Sequence, residues 1–159
     1  MQVNLTFRET QVGDIEDMFS VRARTRQNPI SKEYLATKGI TPASLAADMA
    51  IGKMKGWGCF RQTDLVGFCN GDRAAGEVLV LAVLPEYEGK GVGKRLLSHV
   101  VEWLRSMDCR QPWLTASPDP RSRAHGFYRS LGWQPNGQSL ENGDEVLVLK
   151  PNGMLPPTC

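Results

Sequence analysis

Val80-Leu-Ala-Val-Leu-Pro-Glu-Tyr-Glu-Gly-Lys-Gly-Val-Gly-Lys94 runs from an apolar, strand-like stretch through a glycine-rich turn into a helix that opens on three cations, Lys90, Lys94 and Arg95. A helix start presents unsatisfied N–H groups and roughly half a positive charge, so each cation there costs the helix on the order of a few tenths of a kcal/mol. A bound polyphosphate reverses that penalty. Gly89, Gly91 and Gly93 leave the backbone amides open to such an anion, with no Cβ in the way. The stretch therefore reads as strand, anion-binding turn and helix.

Spacing separates the folds that own such turns. A Walker loop needs glycine where Glu88 stands and Ser or Thr where Arg95 stands. A Rossmann fingerprint needs a third glycine at the position of Lys94 and an acid at the end of the following strand, whereas Asp108 precedes the next apolar run. A second motif lies downstream: Ala124-His-Gly-Phe-Tyr-Arg-Ser-Leu-Gly-Trp133. The turn 88–93 resembles the Gln/Arg-x-x-Gly-x-Gly/Ala signature of the GCN5-related N-acetyltransferases. Residues 124–133 resemble the Ala-x-x-Phe-Tyr-x-x-Leu-Gly-Phe signature of the same superfamily, in the expected order. The resemblance covers Glu77 to Trp133 by motif and the N-terminal part by element order. Two positions depart from it. Glu88 replaces the usual Gln or Arg, so its carboxylate has no proton to give a phosphate; Arg121 stands where asparagine often contacts the pantetheine arm.

The resemblance implies an α/β (α+β) fold: a mixed, mostly antiparallel sheet of six to seven strands with helices on both faces, over residues 1–150 as a single domain. It also implies acetyl-CoA as cosubstrate and no metal. The pyrophosphate falls to the amides of Glu88, Gly89, Lys90, Gly91, Val92, Gly93 and Lys94. In the family the preceding strand splays from its neighbour, which assigns the pantetheine arm and the thioester carbonyl to the backbone of Leu81, Ala82 and Val83. The side chains of those three read as core. If the amides alone carry the pyrophosphate, Glu88→Gln leaves affinity unchanged or improves it.

Acyl transfer to an amine needs a proton donor for the thiolate and an acceptor for the amine's proton. Tyr128 matches the family tyrosine that protonates the leaving thiolate, and a phenol with a pKa of about 10 is protonated at neutral pH. The competing reading has Tyr128 packing with Phe127 and Trp133 and only positioning the cofactor. Glu77 occupies the place of the glutamate that serves as base in histone-acetylating members; its other reading is a solvated strand end. Glu33, Asp72 and Asp119 are weaker base candidates. His125 is adjacent to Tyr128 but about 100° round the helix, which suits a surface or cofactor-side histidine. Arg22, Arg24 and Arg26 spread over several helix faces, with one a candidate to meet an acidic substrate group.

Composition narrows the partners. The 159 residues carry a formal charge of +2 and 41% apolar residues, with no dense basic stripe of the kind that tracks nucleic acid. Cys59, Cys69, Cys109 and Cys159 form no Cys-x-x-Cys pair, which supports neither zinc nor a disulfide framework. No leader or membrane-length apolar run is read, so a cytoplasmic protein without membrane or nucleic-acid partners is expected. The function expected is N-acetyl transfer to a small-molecule or peptide amine by direct attack. The rival is a non-catalytic acyl-CoA sensor or partner-binding subunit of the same fold; dimerisation is left open, as relatives often dimerise.

Element by element, Val3, Leu5 and Phe7 predict a first strand, Asp14 the start of a helix that runs through Arg22, Arg24 and Arg26 and ends before Pro29, and Thr41-Pro42 a second helix start. Ile30–Gly39 shows no period. Strands are expected at 58–62 and 65–70, at 77–84 as a strand covered on both faces, at 112–115 and at 145–149. Helices are expected at 91–107 and 121–131, the latter closed by Gly132. The segments 22–40 and 136–144 are expected to line the acceptor pocket, and the proline-rich tail 151–159 to be loosely held.

Overall fold

The computed structural model describes residues 4–26 and 28–149. Val3 and the tail 151–159 lie outside the described residues. Alternating apolar residues give β1 (Leu5–Glu9), whose Phe7 pairs with Cys59 of β2 (Met54–Arg61). Between them lie α1 (Ile15–Ala23), α2 (Lys32–Thr37) and α3 (Pro42–Ala50). Asp14 ends a short 3-10 turn just before α1. Its carboxylate accepts from the Gln11 amide at 2.7 Å and from both terminal nitrogens of Arg8 at 2.9 and 3.1 Å. Chiefly through the Arg8 hydrogen bonds, that carboxyl is held below the usual carboxylate range. Thr41 starts α3 as expected: its hydroxyl accepts from the Ser44 amide at 3.0 Å while Ser44 Oγ accepts from Thr41 N at 2.9 Å, and Pro42 fills the first helical position.

The remaining elements are β3 (Asp64–Asp72), β4 (Glu77–Val83), α4 (Val92–Ser106), β5 (Trp113–Ala116), α5 (Arg123–Ser130), β6 (Trp133–Ser139) and β7 (Glu145–Leu149). The strands form one sheet in the order β1-β2-β3-β4-β5-β7-β6, antiparallel throughout except between β4 and β5. Gly71 on β3 lies under α4: a Cβ there would stand 2.7 Å from Val100 Cγ1. The preceding residue, Asn70, points the other way and donates to Met18 Sδ of α1 at 3.8 Å. Successive residues of a strand face opposite sides, so α1 and α4 cover opposite faces. Along α4, Val92, Leu96, Leu97, Val100, Val101, Trp103 and Leu104 are buried. Each large apolar side chain so buried contributes about 1.5–3 kcal/mol before the entropy of ordering is subtracted.

Two features of β4 position the site. Asn70 pairs with Val80 and Gly71 with Val78, so Leu79 is an extra residue on β4 and the strand kinks there. On its other side β4 meets β5 at a single rung, Glu77↔Trp113. Beyond that rung the two parallel strands separate. The expectation that β4 is covered on both faces is therefore corrected: Leu79 is 40% exposed, because the bulge and the separation leave that stretch uncovered.

Candidate active site

At the open end of the split, Pro85–Tyr87 makes one 3-10 turn and Glu88–Gly91 leads into α4. Gly89 and Gly91 have φ of +74° and +79°, in the left-handed region where a Cβ is strained. Gly91 is the N-cap residue of α4 and brings no side-chain cap; the first helical backbone bond is Arg95 N to Gly91 O at 3.1 Å. The amides of Val92, Gly93 and Lys94 thus begin the helix without an intrahelical acceptor. A Cβ built on Gly89 or Gly91 would meet nothing within 4 Å, so the space over the turn is open. Left-handed glycines, an uncapped positive helix end and open space form a cradle that fits a diphosphate.

Gly93 has a packing duty that spacing did not reveal. A Cβ there would sit 3.4 Å from Phe127 Cζ and 3.7 Å from Leu81 Cδ2, so β4, the start of α4 and α5 converge on this residue. The two sequence motifs are brought together by that contact. Of the three cations, Lys90 and Lys94 are exposed at the turn, whereas Arg95 lies over the Phe7 ring, 4.1 Å from its centroid, and serves the β1 side.

Tyr128 sits on α5 with its ring edge-on to Phe127 (centroids 5.1 Å apart, 71°) and to Trp133 (6.1 Å, 70°). Ser122 Oγ caps the helix by accepting from His125 N at 3.2 Å, and Arg129 donates to Glu145 of β7 at 2.8 Å, which fixes α5 at both ends. Burial, reinforced by the nearby Cys69 thiol, pushes the Tyr128 phenol well above its ordinary value. Phe127, its neighbour on α5, meets Leu81 around Gly93, which sets α5 against the Leu81 level of β4. Glu77 lies at the closed end, half-buried; burial and, secondarily, Asp72 push its carboxyl above the usual range. Lys53 Nζ approaches Asp72 at 3.7 Å and partly offsets that repulsion.

The motif departures now have structural partners. Arg121 folds onto Asp119 through Nε and Nη2, both at 3.1 Å, with its side chain 90% exposed. Glu88 Oε2 lies 3.3 Å from Arg26 Nε and 3.4 Å from Arg123 Nε. Helix α1 ends at Ala23, so Arg24 and Arg26 lie beyond it, contrary to the expectation that they share a helix. Arg22 is half-buried. Arg26 does meet an acidic group, but that group is the chain's own Glu88.

Two hollows flank these elements. The larger, ≈ 440 Å³, lies between α1 and the tip of the β2–β3 hairpin, with Asp17, Ser20, Arg24, Arg61, Asp64 and Tyr87 on its walls, and contains neither Glu77 nor Tyr128. The smaller, ≈ 230 Å³, is lined by Gln111, Trp113, Asn136, Gln138, Val146 and Val148. Trp113 is the strand partner of Glu77, so the smaller groove adjoins the split and is the better placed for an acceptor. It includes Asn136 and Gln138 from the segment 136–144 expected there, and none of 22–40. Gln111, Trp113, Val146 and Val148 complete its walls, the last three placed there by the in/out alternation of β5 and β7.

A mixed sheet that opens between β4 and β5 beside a glycine-rich helix start, with Tyr128 on α5 and Glu77 at the last shared rung, is the arrangement expected of an acyl-CoA-dependent N-acyltransferase. Residues 15–133 match the Acetyltransferase (GNAT) family, and the chain belongs to that family. Acetyl-CoA is its cosubstrate. Among relatives, a Bacillus subtilis (strain 168) protein named as a candidate ribosomal protein bS18-alanine N-acetyltransferase is 24% identical over 157 residues, covering 94% of this chain and 96% of its own. The PaiA N-acetyltransferase of Thermoplasma acidophilum, solved with coenzyme A, superposes with a TM-score of 0.75 at 21% identity, over 92% of this chain and 99% of the other. The ribosomal-protein-S18-alanine N-acetyltransferase of Escherichia coli gives 0.68 at 18% identity, over 96% and 97%. Among the described residues no helix is long and apolar enough to cross a membrane.

Proposed function

We propose that this chain transfers an acetyl group from acetyl-CoA to the N-terminal amine of a peptide or protein, by direct attack in a ternary complex. The observation that carries the reading is the single β4–β5 rung at Glu77↔Trp113, which leaves Leu81, Ala82 and Val83 without a strand partner on the side next to the open cradle. Bound there, acetyl-CoA supplies an activated carbonyl with a thiolate leaving group. The Glu88 N–H is already donated to Pro85 O at 3.2 Å, which corrects its expected place among the donors, so the amides of Gly89 to Lys94 hold the diphosphate and the backbone of Leu81 to Val83 orients the pantetheine arm. Glu77, raised toward neutrality, takes the ammonium proton through water, since roughly 13 Å of strand separates it from Leu81. The amine nitrogen then forms the new C–N bond as the C–S bond breaks, Tyr128 Oη delivers its proton to the departing sulfur, and the second N–H proton shed by the new amide returns through water to the Tyr128 phenolate. Burial keeps that phenol neutral and also makes it a weaker acid, so its proton moves with C–S cleavage rather than ahead of it.

A covalent acyl-cysteine has no support in the thiols described. Cys59, Cys69 and Cys109 are buried, and burial raises Cys59 to about 11 and Cys69 further, so those two thiols are held neutral. The peptide acceptor is supported by the uncharged amide and aromatic walls of the groove beside Glu77, and by the nearly full-length relatives named as ribosomal-protein-alanine N-acetyltransferases. The test is thiol release from acetyl-CoA across a panel of amines: peptides with free N-terminal alanine, their N-blocked lysine counterparts, polyamines and free amino acids. Free-terminus peptides are expected to be the best substrates. Thiol release only with lysine side chains or polyamines would reject the acceptor, and none with any amine would reject catalysis.

A further inference from the structure

We propose that Glu88 is a positioning residue that sets Arg26 and Arg123 at the mouth of the diphosphate cradle, so that two recruited guanidinium groups replace the single Gln or Arg donor of the family motif. This inference rests on the assignment of the turn to the cofactor. Glu88 is the residue immediately before Gly89, and its side chain is only 15% exposed, whereas Arg26 and Arg123 are 59% and 56% exposed. One nearly buried carboxylate oxygen thus holds two long cations that come from different parts of the chain. Arg26 follows α1, and Arg123 is the first residue of α5, the helix that carries Tyr128.

The arrangement answers a physical conflict. A carboxylate beside a diphosphate opposes binding by like-charge repulsion. At Glu88 that repulsion is more than neutralised, since two positive charges lie within 3.4 Å of Oε2. Neither contact satisfies Oε2 as an aligned hydrogen bond, so the oxygen is buried and held by ion pairing alone. Both contacts are made through Nε, and both arginine side chains remain more than half exposed beside the turn. Long, exposed arginines otherwise sample many rotamers, and fixing them before the ligand arrives removes part of the ordering cost of binding.

Two effects of Glu88→Gln then oppose each other. Loss of one negative charge favours an anion, and loss of the clasp releases two cations. The proposal holds that the clasp dominates, the reverse of what the turn sequence alone suggests. The experiment titrates coenzyme A by calorimetry into the wild type, E88Q, R26Q/R123Q and the triple variant, at several salt concentrations, with thermal unfolding of each unliganded protein as a check on folding. E88Q is expected to bind coenzyme A roughly tenfold more weakly, with ordering of two side chains setting the scale. Its salt dependence should flatten toward that of R26Q/R123Q, and the triple variant should bind no more weakly than the arginine pair. Unchanged or tighter binding by E88Q overturns the proposal, as do losses that add in the triple variant or an E88Q loss with the wild-type salt slope. A wild type that fails to bind coenzyme A overturns the cofactor assignment instead.

Discussion

Tyr128 and Glu77 have their ionisation moved in the same upward direction, with opposite consequences for chemistry. For Tyr128, burial secures the protonated form that a thiolate needs. Tyr128→Phe keeps the ring contacts with Phe127 and Trp133 and removes only the proton, so turnover should fall roughly 10²-fold or more while coenzyme A affinity is nearly unchanged. For Glu77, burial and Asp72 raise the carboxyl, so the base form appears only above the ordinary glutamate range. The acid limb of the wild-type rate profile should therefore lie above about 4.3, the ordinary glutamate value. Glu77→Gln should lose most activity below the amine's pKa and regain it as rising pH deprotonates the substrate, by about tenfold per pH unit when free amine is limiting. An unchanged profile in the glutamine variant would reduce Glu77 to a strand end, and a normal rate in the phenylalanine variant would leave Tyr128 a packing residue.

Among the elements, the turn before α4 was legible because its chemistry is local: glycines, a helix start and cations lie within fifteen residues. Gly91→Val tests it. A valine must adopt φ near +79° and put its side chain into the open cradle, so coenzyme A binding should fall at least tenfold in a titration, while unliganded stability drops by about 1 kcal/mol or more. Equal coenzyme A affinity in the two proteins would place the diphosphate elsewhere. Elements held by tertiary contacts were harder to read. β6 was missed because Trp-Gln-Pro-Asn-Gly-Gln-Ser buries only Trp133; as an edge strand with its register broken between Pro135 and Ser139, it tolerates proline and polar residues. α2 was missed because six residues bury only Leu35, although Ser31, whose Oγ accepts from Tyr34 N at 3.1 Å, was a readable cap. β2 and β3 run longer than expected because Gly56 and Gly71 blur the alternation, each being needed for close packing instead. The Glu88 clasp was illegible for a similar reason: Arg26 and Arg123 are far from it in sequence.

At the scale of the whole molecule, the sheet is two pieces, β1-β2-β3-β4 and β5-β7-β6, joined in the ladder by one rung and bridged by helix packing. A ligand seated in the split touches both pieces and supplies backbone partners where β5 supplies none, so it should act on global stability and local protection together. Coenzyme A at 100 times its dissociation constant should add about 2.7 kcal/mol. For a domain of this size that corresponds to roughly 5–10 °C in melting midpoint. NAD and ATP lack the pantetheine arm that the split receives, so they should shift the midpoint far less. Hydrogen exchange locates the effect: amides of Leu81 to Val83 that face the split, and those of Gly89 to Lys94, should slow on binding, while the β1–β2 ladder changes only by the global increment. Equal shifts from all three nucleotides would place the binding energy in a general polyphosphate site. Protection confined to the glycine turn would show that β4 contributes no backbone partner to the cofactor.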